Sequence, residues 1–184
     1  MKIAVYSGTF DPLHIGHRAI LENLSQNSDF DSVYLVVSPK NPLKSKISSE
    51  SKARLKAASN ALAKYPELKV KLEDIEYNMP APHYTINTLN ALKEREPENF
   101  FTLIIGADNL ANIRRWKDYK DILTNYGVGV FPRAGYDYRK IKKDLKHESE
   151  AFKIELYDAP LVNISSTEIR KAIAKGENPS KFLF

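Results

Sequence analysis

The 184-residue chain contains no cysteine, so disulfides and thiolate metal sites are excluded. No apolar run approaches the ~20 residues that a membrane-spanning helix needs. The first strand-like stretch begins at Lys2, which argues against a secretory signal. Two phosphate-binding fingerprints are also missing: neither G-x-x-x-x-G-K-[ST] nor G-x-G-x-x-G occurs. Nor is there a dense carboxylate cluster to build a metal cage from protein alone, and no serine sits in a recognisable triad.

What remains is 42% hydrophobic and 28% charged, which suits one domain over residues 1–184 with a sizeable core. The net charge of +5 suits phosphorylated small molecules, and equally nucleic acid. Against nucleic acid, no aromatic-basic interleaving or RNA motif is found. The basic run Arg139 to Glu148 carries Ile141 and Leu145 four apart, which reads as a solvated helix face.

Strand and helix signals alternate along the whole chain. Strands are expected at Lys2 to Tyr6, Ser32 to Pro39, Phe100 to Ala107, Gly127 to Arg133 and Phe152 to Ala159. Val70 to Tyr77 alternates more and reads as a strand nearer an edge. Helices are expected at Ile15 to Gln26, Glu50 to Lys64, Thr85 to Arg95, Trp116 to Leu123 and Thr167 to Lys175. This alternation predicts a mainly parallel, doubly wound α/β sheet with helices on both faces. Such sheets bind ligands beyond the carboxyl ends of their strands.

The stretch SGTFDPLHIGH, Ser7 to His17, lies where the first strand hands over to the first helix. A helix start offers unpaired N–H groups and a positive dipole end to an anion. Gly8 lets the backbone turn and a phosphate approach, Pro12 fixes the loop, and Gly16 leaves room over the helix end. His14 and His17, three apart, project from one face and can stabilise charge on a phosphoryl oxygen. A zinc pair, or two histidines that merely cap local polar groups, are the competing readings. Near the other end, ISSTEIR (Ile164 to Arg170) is a helix start with a Ser or Thr cap and Glu168 in its first turn. It can be an ordinary capping box, or a second anion site at which Arg170 acts as a charged fork.

GTFDPLHIGH and ISSTEIR together resemble the two signatures of the nucleotidyltransferase superfamily. The resemblance is closest to the nicotinate-nucleotide adenylyltransferase family and covers nearly the full chain, through IIGADNLANIRRWKDYKDIL, PHYT, FPRAGY and APLVNISSTEIR. It implies a Rossmann-like fold and transfer of the adenylyl group of ATP to nicotinate mononucleotide, by direct in-line attack without a covalent enzyme intermediate. By the same resemblance His14, His17 and Arg170 are catalytic. Gly8, Thr9, Phe10, Gly106, Asp108, Ile164, Ser165, Ser166, Thr167 and Arg170 bind ATP. Lys44, Thr85, Trp116 and Arg133 bind the nicotinate nucleotide. Trp116, taken alone, reads as core. Mg²⁺ is expected to arrive with ATP, no metal being held by protein alone. The expected partners are ATP and nicotinate mononucleotide, with no nucleic acid and no membrane, in the cytoplasm; a homo-oligomer is left open. The resemblance also allows another acceptor (phosphopantetheine or nicotinamide mononucleotide), or a non-catalytic nucleotide- or RNA-binding module. The chain departs from the family at Lys117, where an aromatic residue is usual, and at Asn41 to Lys44, where P-P-H-K is usual.

Overall fold

The computed structural model describes residues 1–39, 49–159 and 164–184. Strands β1 (Lys2–Gly8), β2 (Ser32–Val37), β3 (Val70–Glu73), β4 (Phe100–Gly106), β5 (Val128–Phe131) and β6 (Ile154–Leu156) form one parallel sheet in the order β3-β2-β1-β4-β5-β6. The chain builds outward from β1 to β3, then crosses back to place β4 on the other side of β1. The strand order therefore reverses between β1 and β4. Loops leaving the carboxyl ends of these two strands diverge to opposite faces and open a crevice.

Side-chain alternation in β1 explains why both faces are covered. Ile3 and Val5 enter one apolar cluster, with Leu89 and Leu92 of α3 (Thr85–Arg95) and Leu145 of α6 (Tyr138–Glu148). Ala4 and Tyr6 enter the other, with Leu21 and Leu24 of α1 (Ile15–Gln26) and Ala58 of α2 (Ser49–Leu62). A period of two in a strand that is apolar throughout demands apolar partners above and below. In α6 the basic run does form a solvated face, anchored by buried Leu145 and half-buried Ile141.

Three local expectations need correcting. The stretch after Val70 is an edge strand only to Glu73. Ile75–Tyr77 then form a 3-10 turn, because Glu76 is buried and accepts a hydrogen bond from Thr88 Oγ1 at 2.8 Å. A short helix, α4 (Ala107–Ala111), starts directly at the end of β4, where the sequence had suggested a plain strand end. The helix expected over Trp116 to Leu123 is broken. Trp116 is extended and Asp118 is left-handed at φ 50°, so only α5 (Tyr119–Asp121) and a π-helical turn over Ile122–Tyr126 remain. The final helix is α7 (Ser166–Ala174).

Candidate active site

A cavity of about 260 Å³ opens at the carboxyl ends of β1 and β4, where the strand order reverses. Gly8, Thr9, Phe10, His17, Thr85, Gly106, Trp116, Arg133 and Ser166 line it. Residues from the two terminal motifs and from the middle of the chain thus meet at one place. Tyr6 and Asn109 line it as well. Neither was found from sequence: Tyr6 reads as one more buried strand residue, and Asn109 gains its place only through α4.

The first motif is a cap and a donor site at once. His14 is the N-cap of α1, and its Nδ1 accepts from the Gly16 N–H at 3.2 Å. His17 Nδ1 accepts in turn from the His14 N–H at 3.2 Å. With both Nδ1 atoms accepting, a neutral ring must carry its proton on Nε2. Neither Nε2 bonds to another group among the described residues. The two rings stack, centroids 3.6 Å apart, and the Phe10 ring meets His17 edge-on at 5.0 Å. Burial, with the Arg133 charge second, pushes His14 down to about 4. Burial, then His14 and Arg133, holds His17 well below its usual value. Both imidazoles are therefore neutral at pH 7 and present N–H donors.

The second motif docks on the first. Ser165 caps α7, accepting from the Glu168 N–H at 3.2 Å and donating to Glu168 Oε2 at 2.7 Å. The capping-box reading of this stretch is therefore also true. Ser166 Oγ donates to the Pro12 carbonyl at 3.1 Å, and Arg170 Nη1 donates to the Asp11 carbonyl at 2.6 Å. Arg170 Nη2 donates to Thr167 Oγ1 at 3.0 Å. Ser166 alone of this group lines the cavity; Ser165 is engaged with Glu168, and Arg170 links Thr167 to the first loop. Ile164 packs toward Gly16.

At the β4 end, a Cβ on Gly106 would lie 2.4 Å from Asp108 Oδ1 and 2.9 Å from Arg133 Nε, so any larger residue would have to displace both side chains. Asp108 Oδ1 is buried without a hydrogen-bond partner among the described residues and sits 3.7 Å from Arg133 Nε. Across the cavity, Thr85 is the first residue of α3. The N-cap of that helix, Tyr84, supplies no side-chain cap; the Asn87 and Thr88 N–H groups donate to its carbonyl, while those of Thr85 and Ile86 have no partner among the described residues. Trp116 packs against the core as well as lining the cavity, so its two readings coexist. Lys117 Nζ lies over the Tyr84 ring, 5.1 Å from its centroid. Lys44 and the Asn41 to Lys44 stretch lie outside the described residues.

A parallel sheet with an anion-adapted crevice at its point of reversal defines a nucleotide-binding α/β transferase scaffold. The cytidylyltransferase-like family model matches residues 5–172. "Probable nicotinate-nucleotide adenylyltransferase" of Flavobacterium psychrophilum is 42% identical over 97% of this chain and 89% of its own length; that of Flavobacterium johnsoniae is 40% identical over the same shares. This chain belongs to the nicotinate-nucleotide adenylyltransferase family. Plasmodium falciparum nicotinic acid mononucleotide adenylyltransferase, solved in complex with NaAD, shares the fold. The TM-score is 0.78 at 21% identity, over 99% of this chain and 90% of that one. A putative nicotinate-nucleotide adenylyltransferase from Vibrio parahaemolyticus superposes with a TM-score of 0.67 at 23% identity, over 99% and 92%.

Proposed function

We propose that the chain transfers the adenylyl group of ATP to nicotinate mononucleotide, giving deamido-NAD and pyrophosphate, as a cytoplasmic enzyme. Membership of the family supports this reading. The observation that carries it is the pair of neutral imidazoles at the start of α1, each with Nδ1 occupied and Nε2–H without a partner among the described residues. Acyl or glycosyl chemistry calls for a nucleophile or a pair of acids; charge-stabilising donors beside a phosphate cradle suit phosphoryl transfer.

In this reading a phosphate oxygen of the acceptor attacks the α-phosphorus of ATP in line. The new O–P bond forms as the bond to the bridging oxygen breaks, and its electron pair leaves with pyrophosphate. Mg²⁺ enters as part of the MgATP substrate. His17 donates to the α-phosphate as charge develops there, and His14, stacked behind it, fixes its ring. Arg170 exchanges the Asp11 carbonyl for the outgoing phosphates. Gly106 and Asp108 take the adenosine ribose, with Asp108 Oδ1 accepting a hydroxyl.

The open start of α3 suits the acceptor's carboxylate, since first-turn N–H groups favour an anion and meet the amide of nicotinamide with donor against donor. Trp116 stacks on the pyridine ring. The test is pyrophosphate release over a panel of acceptors with MgATP. We expect at least ~100-fold higher kcat/KM for nicotinate mononucleotide than for nicotinamide mononucleotide, with Thr85→Ala narrowing the ratio. Equal use of both acceptors overturns the nicotinate assignment and leaves adenylyl transfer standing.

A further inference from the structure

Arg54 is buried, 7% exposed, behind the first motif. It looks out on a second, mostly apolar cavity of about 360 Å³ that also touches Phe10 and Phe184. Its Nη1 donates to the Thr9 carbonyl at 2.5 Å and to the Ser38 carbonyl at 3.0 Å; its Nη2 donates to Ser51 Oγ at 3.1 Å. One side chain thereby ties the loop leaving β1 to the end of β2 and the first turn of α2. Its Nε is buried without an acceptor among the described residues, a penalty that an apolar filler of the same space would avoid. Packing alone therefore does not account for an arginine here.

The grip on Thr9 has a directional consequence. A trans peptide points its C=O and N–H in opposite directions. Thr9–Phe10 is trans, since the cis bonds of the described residues are Asp11–Pro12 and Ala81–Pro82. With the Thr9 oxygen held toward Arg54, the Phe10 N–H points away from Arg54, and both Thr9 and Phe10 line the active-site cavity. That N–H donates to no group among the described residues. Phe10 itself has φ 45°, a conformation that an aromatic residue adopts only when its surroundings impose it. Its ring is set against Gly8 and edge-on to His17. Holding the 9–10 peptide thus sets both a backbone donor and the ring that packs on an imidazole.

We propose that Arg54 is a positioning residue for nucleotide binding, which it serves by turning the Phe10 N–H into the cavity to donate to a phosphate oxygen of ATP. The proposal rests on the adenylyl-transfer reading. It is tested with Arg54→Met, which keeps the length and loses the donors, and Arg54→Lys, which can reach one carbonyl. ATP binding is followed by calorimetry, and both Michaelis constants are measured. For Arg54→Met we expect KM for ATP to rise by about tenfold and kcat to fall by roughly 10²-fold, with KM for nicotinate mononucleotide within about twofold of the parent. Arg54→Lys should recover part of the loss. A variant whose kcat falls only with its folded fraction, at unchanged ATP affinity, overturns the proposal. Should Arg54→Met fail to fold, the split between the two Michaelis constants in Arg54→Lys decides. Failure of the unmutated chain to bind ATP counts against adenylyl transfer itself; equal ATP binding by parent and variant counts against Arg54 alone.

Discussion

Helices α1 and α7 both begin beside the same cavity, yet their first turns are built from opposite materials. The start of α1 is dry. His14 is 3% exposed, it caps its own helix, and the two stacked rings are neutral donors. The start of α7 is wet: its cap is a Ser–Glu pair, and Arg170 carries a full charge with 46% of its side chain exposed. A fixed, desolvated dipole needs no reorganisation when charge develops, so under the proposed adenylyl transfer it suits the reacting phosphorus. An exposed fork on a flexible stem can let go, so under the same proposal it suits a product that must leave. The proposal thus gives the two helix starts different tasks at the two ends of one polyphosphate.

The sharpest way to break this contrast is His17→Ala. Removing a preorganised donor should lower kcat by roughly 10²–10³-fold, with little change in melting temperature. Turnover close to that of the parent would take His17 out of the chemistry. A large thermal loss would give it back to the capping role.

Arg170 should behave more mildly. Arg170→Lys keeps the charge and loses the planar fork, so we expect about tenfold lower kcat/KM, expressed mainly in ATP affinity and in pyrophosphate inhibition. If the lysine variant loses as much kcat as His17→Ala, the two helix starts do the same job and the distinction fails.

Much of this was legible in the residues. The period of two in β1, the periodic helices at Ile15 and Thr85 and the two terminal motifs carry direct signals, and the structure brings those motifs together. What stayed hidden was set by tertiary contacts. Capping by the histidines was one of the readings open in the sequence, but histidine is not a usual N-cap, and nothing in the residues said that His14 would cap α1 while His17 faced the cavity. Arg54 sits in a polar helical run, SKARLK, and nothing local marks it as buried. The helix over Trp116 was misread because Asp118 adopts a left-handed turn that Asp tolerates but does not announce. Trp116 is extended next to that break and lines the cavity, so the misread stretch includes a residue that the proposed reading assigns to the acceptor.

The smallest effect concerns acid, and it tests whether the α1 end is as dry as the contrast requires. His14 titrates near 4 when folded and near its ordinary 6.5 when unfolded, because burial and then the Arg133 charge oppose protonation, with Glu168 acting the other way. A base whose folded pKa is depressed contributes stability that is fully present above 6.5. Below that, the unfolded chain takes up a proton that the native state refuses, and stability falls with pH until about 4. His17 is shifted in the same direction and adds to the effect. Carboxylates held low in the native state, such as Glu73 and Glu168, begin to act about one unit above their unfolded value of 4.5, so the histidines dominate only the upper part of the window from pH 6.5 to 4.5 and a comparison with a variant is needed to separate them. His14→Asn keeps a good N-cap and removes the titration. Urea midpoints of the parent should therefore decline across this window, and those of His14→Asn should decline less. A parent whose midpoint is level from pH 6.5 to 4.5 would mean that solvent reaches the rings, and the dry start of α1 would no longer differ in kind from the wet start of α7.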